Sequence, residues 1–484
     1  MAKDERASLN TEDWWSVWLG LFIVFLGLGK TALGIDLLGW VTKTHVFTGI
    51  SKALSTSSPE YGSVPPIASL LLTYLFVMAI TALGAALMGT NLKKYLLGFS
   101  IIFWLTYVCW VAGHWAYIAA TPDVREAKYG ISWSLSLTGE AGYIMALIAG
   151  LVVGNVFTGL AKYLKDAAKP EWFIKTAIVI LGASVGLKTF HSFGLAKTIF
   201  FRGLCAIVEA YLIYWPVVYF IARRWFKFTP EWAAPLASGI SICGVSAAIA
   251  TGGAIRARPI VPVIVSSLVI VFAVIELVVI PFAAQAWLYK EPMVAGAWMG
   301  LAIKTDGAAA ASGAVTDALI RAKALSVQGI EYEKDWILTA GVTTKIFIDI
   351  FIGIWAFVLA IVWVYGMEKK EGVKVPKIEI WYRFPKFVIG YFFAFLLVSA
   401  IGLSTPSLVS PLKAGVSGTD SLRQLFFALT FFSIGVISNF ATLRKEGMGK
   451  LALVYLLCLF GFIIWVGLFI SFLFFHGILP PVVQ

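Results

Sequence analysis

The sequence predicts an all-α polytopic membrane protein with about 13 transmembrane helices. The 484 residues are 60% hydrophobic and only 13% charged, and the mean hydropathy is +0.88. Soluble domains of this length do not reach such values, and apolar runs long enough to cross a bilayer recur along the chain. Two glycine-interrupted segments lie among these runs, a pattern typical of transporter substrate sites.

The apolar runs divide the chain into two parts. Three of them, Trp14–Gly29, Ala68–Gly89 and Leu96–Ala120, precede the polar stretch Thr121–Thr138. We therefore predict an N-terminal accessory unit at residues 1–138 and a ten-helix transport core at 139–484. The predicted core segments are Ala141–Ala161, Phe173–Leu187, Thr198–Ala222, Trp232–Ile255, Pro259–Trp287, Ala295–Ala314, Trp336–Gly366, Phe384–Leu403, Leu422–Ala441 and Leu451–His476.

Charge and cysteine usage narrow the class further. The net charge is +12, but Lys and Arg lie in short loops between apolar runs, which indicates membrane orientation rather than nucleic-acid binding. Their excess, much of it in the loop of Lys369, Lys370, Lys374, Lys377, Arg383 and Lys386, predicts a cytoplasmic N-terminus in the plasma (inner) membrane and an external C-terminus. The charged N-terminus lacks a convincing cleavage site, and the four cysteines show neither metal-ligand nor disulfide spacing.

The first glycine-interrupted segment is SGISICGVSAAIATGG, at Ser238–Gly253. Irregular backbone at membrane depth is tolerated only where it is buried in protein or lines a watery cavity, so this segment predicts a substrate site. A helix–helix packing face of small residues is the alternative interpretation. The candidate substrate-binding residues here are Ser241, Cys243, Gly244 and Ser246.

The second interrupted segment, Gly300–Asp317, carries Lys304, Thr305 and Asp306 in an apolar surround. Charges are costly in a membrane and indicate function by default. The next run places Lys345 and Asp349 four residues apart, on one helix face. They form either a private ion pair or a working pair. In the second case Lys304 or Lys345 faces an anion, and Asp306 or Asp349 binds a coupling proton or sodium ion.

Other polar residues inside apolar runs carry weaker hypotheses. Glu140 opens a run and suits a helix N-terminus. Glu209 and Glu276 could relay protons, but pairing with Arg202 or with a backbone group is the favoured interpretation. Interhelical hydrogen bonding is the favoured role of the asparagines Asn155 and Asn439.

Two internal similarities suggest a duplicated core. Ile180–Lys197 aligns without gaps with Ser433–Lys450, and Ile240–Ala248 aligns with Ile303–Ala311. Counted as thirteen crossings, the first pair is inverted in the membrane and the second is parallel. Either the count near the second pair is wrong or one similarity is accidental.

The core resembles the YeiH-type sulfate exporters. The stretches that carry the resemblance are GEAGYIMALIAGLVVGN, VILGASVGLK, SGISICGVSAAIA, WMGLAIKTDGAAAASGA, FPKFVIGYFFAFL and IGVISNFATLRKEG, between Gly139 and Gly447. The family resembles bile-acid/sodium symporters and sodium–proton antiporters, which implies a panel domain and a core domain with broken helices that cross at mid-membrane. Lys304-Thr305-Asp306 stands where family members commonly carry His-Asp or His-Glu, and only Lys345, beside Asp349, stands where they tend to carry a Lys and an Arg. The substrate can therefore differ from sulfate.

Together these observations predict a secondary active transporter of a small anion: sulfate, an organosulfonate or a carboxylate. Substrate binding is assigned to Ser241, Cys243, Gly244 and Ser246 of the first interrupted segment with Lys304, Thr305 and Lys345, and ion coupling to Asp306 and Asp349. An anion channel is the alternative. We expect no enzymatic activity and no cofactor beyond a coupling Na⁺ or H⁺; the partners are the anion and the lipid bilayer, and homodimerisation is left open.

Overall fold

The computed structural model is almost entirely helical. It describes residues 9–483 apart from 121, 136, 138, 140, 259, 364–380, 382–384, 439 and 441–448. Two short strands, β1 (Thr42–Thr44) and β2 (Leu54–Thr56), pair antiparallel between the first two long helices. The all-α polytopic fold predicted from the sequence is confirmed.

The helices follow one another with short connections. The N-terminal ones are α1 (Glu12–Leu33), α2 (Pro66–Leu87), α3 (Leu92–Gly113), α4 (Ala116–Ala119) and α5 (Pro122–Tyr129). Then come α6 (Ala141–Asn155), α7 (Thr158–Leu164), α8 (Pro170–Gly203), α9 (Cys205–Val208), α10 (Trp215–Phe220), α11 (Pro230–Ser241), α12 (Gly244–Ala254) and α13 (Ile260–Trp287). The last are α14 (Pro292–Ala302), α15 (Asp306–Gln328), α16 (Trp336–Ile350), α17 (Ile352–Ile361), α18 (Phe387–Ser404), α19 (Val409–Ile437), α20 (Gly449–Cys458) and α21 (Ile464–Phe475). Single π-helical turns at Glu209–Tyr214, Ile221–Trp225 and Leu459–Ile463 continue the neighbouring helices.

Within the described residues, ten helical stretches are long and apolar enough to cross a membrane, or eleven if α6 and α7, bent by 108°, form one span. The two other predicted spans, Trp232–Ile255 and Ala295–Ala314, correspond to the glycine-interrupted segments. Each of these is split into two helices.

Small residues let the long helices approach closely. A Cβ at Gly182 of α8 would overlap the carbonyl of Tyr391 in α18, and one at Gly150 of α6 would overlap that of Phe432 in α19. Gly27 of α1 meets α19 in the same way. Close backbone approach of this kind is the usual basis of helix association in membranes. The first helix therefore packs directly on helices of the predicted core.

The first interrupted segment turns back instead of crossing. Arg258, just after α12, donates from its backbone N–H (2.8 Å) and its Nε (2.9 Å) to Glu231, in the first turn of α11. Thr251 Oγ1 donates to Ser238 Oγ at 2.6 Å. A continuous helix would hold residues 231 and 258 about 40 Å apart. Residues 230–254 thus form a re-entrant hairpin, called hairpin 1, whose tip is Ile242–Cys243.

The second interrupted segment also turns back. On α14, Gly300 lies close to the break and packs on Gly341 of α16. On α15, Asp317 lies far from the break and reaches the start of α16, where it accepts the N–H of Ile337 at 3.2 Å. The two halves therefore run in opposite directions along α16. Lys323 lies 4.5 Å from the ring of Tyr289, just before α14 begins. Residues 292–328 form hairpin 2, with its tip at 303–305.

The hairpins enter from opposite faces of the membrane. Helices α16 and α17 together span residues 336–361, so the position of a contact along them gives its depth in the membrane. The base of hairpin 2 lies at their start, and the base of hairpin 1 packs through Ala234 and Ile255 on Leu359, near their end. The tips meet in between. The expectation that the broken segments cross the bilayer is therefore wrong, because a break that reverses the chain has the same hydropathy as one that continues it.

This topology answers the question of the repeats. Ile240–Ala248 and Ile303–Ala311 are the two hairpin tips, and the hairpins are inverted, so the count of crossings near this pair was the source of the conflict. Each hairpin is followed by a full crossing, α13 or α16–α17. The other similarity runs into residues 441–448, outside the described part of the chain.

Candidate functional site

The two hairpin tips touch near the middle of α16. The N–H of Gly244 donates to the carbonyl of Lys304, and the Cys243 thiol donates to Asp306 Oδ1 at 3.0 Å. Thr305 Cγ2 lies 3.1 Å from where a Cβ on Gly244 would be. The structure thus brings together the two segments that the sequence singled out, although about 60 residues separate them.

Lys345 of α16 joins three elements at this contact. Its Nζ donates to the carbonyl of Ile242, at the tip of hairpin 1, at 2.7 Å. The same atom lies 3.7 Å from Asp306 Oδ1, on hairpin 2, and 3.5 Å from Asp349 Oδ1, one turn along α16. The side chain is only 5% exposed. The ammonium is therefore shared between two carboxylates and is not a private partner of Asp349.

Cys243, Asp306 and Asp349 offer one ligand atom each, and these atoms lie within 4.8 Å of one another. Both oxygens of Asp349 are buried and accept no hydrogen bond from the described residues. Two adjacent buried carboxylates beside one ammonium carry one negative charge too many for an apolar site, which favours binding of a proton or a small cation. Such a cation must share the space with the Lys345 ammonium.

Lys304 contributes its backbone, and not its ammonium, to the tip contact. Its Nζ donates to the carbonyl of Leu301 and lies 4.6 Å from the centre of the Tyr214 ring. Its N–H donates to Glu276 Oε2 at 3.3 Å, while its carbonyl receives Gly244. The ammonium is thus directed away from the tip contact, and its predicted role in substrate binding stays a prediction.

The hydroxyl candidates differ from one another. Ser241 is buried, and its hydroxyl has no partner among the described residues. Ser246 is half-buried in the first turn of α12. Thr305 caps α15, since its Oγ1 accepts the N–H of Ala308 at 3.1 Å. Helices α12 and α15 both begin at the tips, so their first N–H groups, which have no acceptor within the helix, and the positive ends of their dipoles face the centre.

Sequence reasoning missed an acid beside the site. Glu171, in the first turn of α8, places its Oε1 3.7 Å from where a Cβ on Gly307 would be. Lys175 follows it at 3.9 Å and in turn lies 3.4 Å from Asp13 of α1. The spacing of Glu171 and Lys175 is a helical i,i+4 pair, but nothing in the sequence connects that pair with residue 307.

The weaker sequence hypotheses have mixed outcomes. Asn155 donates to the carbonyl of Ser438 at 2.9 Å, which confirms its interhelical role. Glu276 binds the Lys304 backbone and the Tyr455 hydroxyl, so backbone pairing is confirmed for it. Arg202 binds the carbonyl of Phe474 and not an acid. Glu140, Asn439 and the loop residues Lys369, Lys370, Lys374, Lys377 and Arg383 lie outside the described residues.

Comparison with known proteins finds relatives that are named as membrane proteins. A family profile described as "Conserved hypothetical protein 698" matches residues 129–454. A UPF0324 membrane protein of Nitrosomonas europaea is 45% identical over 98% of this chain and 97% of its own length. The chain belongs to the UPF0324 family. A UPF0324 membrane protein of Rhodopirellula baltica is 31% identical over 80% of this chain and 64% of its own length.

A shorter relative matches less of the chain at higher identity. An uncharacterized protein of Archaeoglobus fulgidus is 59% identical over 31% of this chain and 91% of its own length. No solved structure matches the chain. The similarity to the UPF0324 family thus extends over nearly the whole length through the Nitrosomonas relative, and the names of the two UPF0324 relatives specify a membrane location alone.

Proposed function

We propose that this protein is a secondary active transporter of a small anion, coupled to a proton or a sodium ion. The observation that carries the proposal is the contact of two oppositely inserted hairpins at Lys345, between Asp306 and Asp349. Unwound tips at membrane depth are stable only where protein or a lined cavity satisfies the backbone. Hairpins that enter from opposite faces offer one centre that can be exposed to each side in turn.

Two features of the centre suit an anion. The N-termini of α12 and α15 present first-turn amides and dipole ends toward it, the arrangement that binds carboxylate, sulfate and phosphate groups elsewhere. Lys345 adds a full positive charge between the tips. Sulfate, an organosulfonate and a carboxylate all match these donors, and all three remain candidates for the substrate.

Coupling follows from competition for Lys345. In this structure the ammonium is engaged by two carboxylates and by the Ile242 carbonyl. A proton or sodium ion bound at Asp306 and Asp349 neutralises these partners and releases the ammonium for the anion. Binding of the cation then strengthens binding of the anion, and the reverse also holds, because coupling between two sites is reciprocal.

The orientation has a structural counterpart. The N–H of Lys386, at the start of α18, donates to Asp13, at the start of α1, so both helices begin at one face. Lys386, the last of the basic residues on which the orientation depends, therefore lies beside the start of the first helix, which supports a cytoplasmic N-terminus in the plasma membrane.

The experiment is counterflow of labelled sulfate in proteoliposomes, with taurine and succinate as competitors. We expect transient accumulation driven by internal sulfate, and loss of it in the double variant Lys345→Met/Asp349→Leu. Lys323→Met, which alters a lysine at the base of hairpin 2, is the control that should retain it. Conductive sulfate flux without counterflow would instead support a channel.

A further inference from the structure

A second group of buried ionisable residues surrounds the other lysine of hairpin 2. Glu209, Glu276 and Lys304 are each 0% exposed. They come from three different elements: the π-helical turn after α9, the middle of α13 and the hairpin 2 tip. The group lies behind the tip contact, and the proposed exchange at Lys345 makes no use of it.

Glu209 is the unexplained member. Both of its carboxylate oxygens are buried without a hydrogen-bond partner among the described residues, since the nearby Tyr214 hydroxyl donates instead to the carbonyl of Ile463 at 2.8 Å. It opens the π-helical turn Glu209–Tyr214, and such turns often mark functional sites. Its Oε1 lies 3.4 Å from where a Cβ on Gly467 of α21 would be, which is an ordinary contact distance.

The neighbours of Glu209 lead to Lys304. Tyr214 Oη lies 2.9 Å from the same Cβ position on Gly467, and the Tyr214 ring lies under the Lys304 ammonium at 4.6 Å. The titratable groups that face Glu209 are Lys304 and Tyr214, with Cys205 one turn earlier on its own helix. The charge of the Lys304 ammonium therefore acts on both Glu209 and Glu276, while the ammonium itself donates to the carbonyl of Leu301.

Glu276 has partners of its own. Tyr455 donates to its Oε1 at 2.9 Å, and the Lys304 N–H donates to its Oε2. The titratable groups that act on it are Tyr455, Lys304 and, beyond them, Lys345. Glu276 thus has a hydrogen-bond donor for each of its oxygens, whereas Glu209 has none. The single positive charge of Lys304 cannot neutralise both acids, so the Glu209 carboxyl must be uncharged to remain buried.

We propose that Glu209, with Lys304 and Glu276, is a proton-binding site separate from the hairpin-tip centre, and that its protonation controls the tip contact. The backbone of Lys304 supplies the connection, because its carbonyl holds the Gly244 N–H and its own N–H is held by Glu276. Loss of the Glu209 proton creates a carboxylate that attracts the Lys304 ammonium toward Tyr214. Residue 304 moves with it, and the hydrogen bond to hairpin 1 weakens. This inference rests on the proposed function, which requires a coupling ion such as a proton.

The first test is infrared difference spectroscopy of the purified protein between acidic and alkaline pH. A protonated buried carboxyl gives a C=O stretching band that disappears on deprotonation. We expect this band in the wild type, its loss in Glu209→Gln, and its retention in Asp349→Asn and in Glu60→Gln, the control at an exposed ion pair. Retention in Glu209→Gln, or loss in Asp349→Asn, overturns the proposal.

The second test is hydrogen–deuterium exchange of the peptide that contains Gly244, corrected for the intrinsic effect of pH. We expect exchange in the wild type to rise about tenfold on deprotonation, within the usual range of coupling between sites. Glu209→Gln and Lys304→Met should remove this pH dependence, and a pH dependence unchanged in both variants overturns the connection. Neither test uses a transported anion, so failure of sulfate counterflow would leave both results interpretable.

Discussion

The two hairpins have the same shape but contribute different chemistry. Hairpin 1 brings no charge to the centre: its tip offers the Ile242 carbonyl, the Cys243 thiol and the Gly244 amide. Hairpin 2 brings Asp306 and, on its far side, Lys304. Hairpin 1 therefore supplies uncharged partners, two of them from the backbone, whereas hairpin 2 supplies the charged side chains. Substitutions in each should fail in different ways.

The largest effect is expected at Lys345, where both hairpins meet α16. Lys345→Met leaves two buried carboxylates without their cation, and Asp349→Leu removes one partner; each single change should lower the free energy of unfolding, the lysine change by about 3–5 kcal/mol. The double variant should recover much of this loss. Denaturation in mixed micelles measures all three.

Transport by the same variants separates a structural pair from a working one. We expect the double variant to be stable and inactive in sulfate counterflow, because Lys345 also binds hairpin 1 and Asp306. Full activity in a stable double variant would contradict this and would make the pair a part of the scaffold.

The aligned glycines of the two tips give the next largest contrast. A Cβ on Gly244 would overlap Val269 of α13, whereas one on Gly307 would make only ordinary contacts at 3.7 Å with Glu171, Ile174 and Ile434. We expect Gly244→Ala to cost about 1–3 kcal/mol through overpacking. Gly307→Ala should be neutral or stabilising by up to about 1 kcal/mol, since alanine is the better helix former.

Thermal melting of the two alanine variants in one detergent compares them directly. Equal melting temperatures would show that the tips relax alike, and would contradict the steric difference. Sulfate counterflow should fall in Gly244→Ala, because the shift propagates to Thr305 and to the tip hydrogen bond.

These contrasts show what the sequence could predict. Apolar length was enough to locate α13, predicted at Pro259–Trp287 and found at Ile260–Trp287. Glycine density and buried charge located both breaks and the pairing of Lys345 with Asp349. These signals are local, because they depend on hydropathy and on spacing within one helix.

What the sequence could not give depends on residues far apart in the chain. The reversal at the hairpin tips requires the Glu231–Arg258 pair and the packing against α16, and the hydropathy of a crossing helix would be the same. The direction of the Lys304 ammonium is decided by Tyr214, ninety residues earlier. Glu171 comes close to Gly307 only through the packing of α8.

The smallest expected effect concerns hydroxyls inside the hairpins. In hairpin 1, Thr251 Oγ1 donates to Ser238 Oγ at 2.6 Å, and Trp215 Nε1 donates to the same serine at 2.8 Å. Thr251→Val keeps the shape of the side chain but removes the hydrogen bond that joins α12 to α11, and should lower the free energy of unfolding by about 1 kcal/mol.

In hairpin 2, Thr316 is equally buried, but its hydroxyl has no partner among the described residues. Thr316→Val is therefore the matched control and should be neutral or slightly stabilising, because it removes an unsatisfied polar group. Hydrogen–deuterium exchange should show faster opening of residues 244–254 in Thr251→Val alone, and denaturation should give the difference in stability between the two variants. An equal loss in both would mean that the Thr316 hydroxyl does have a partner, and that the two hairpins are held together in the same way.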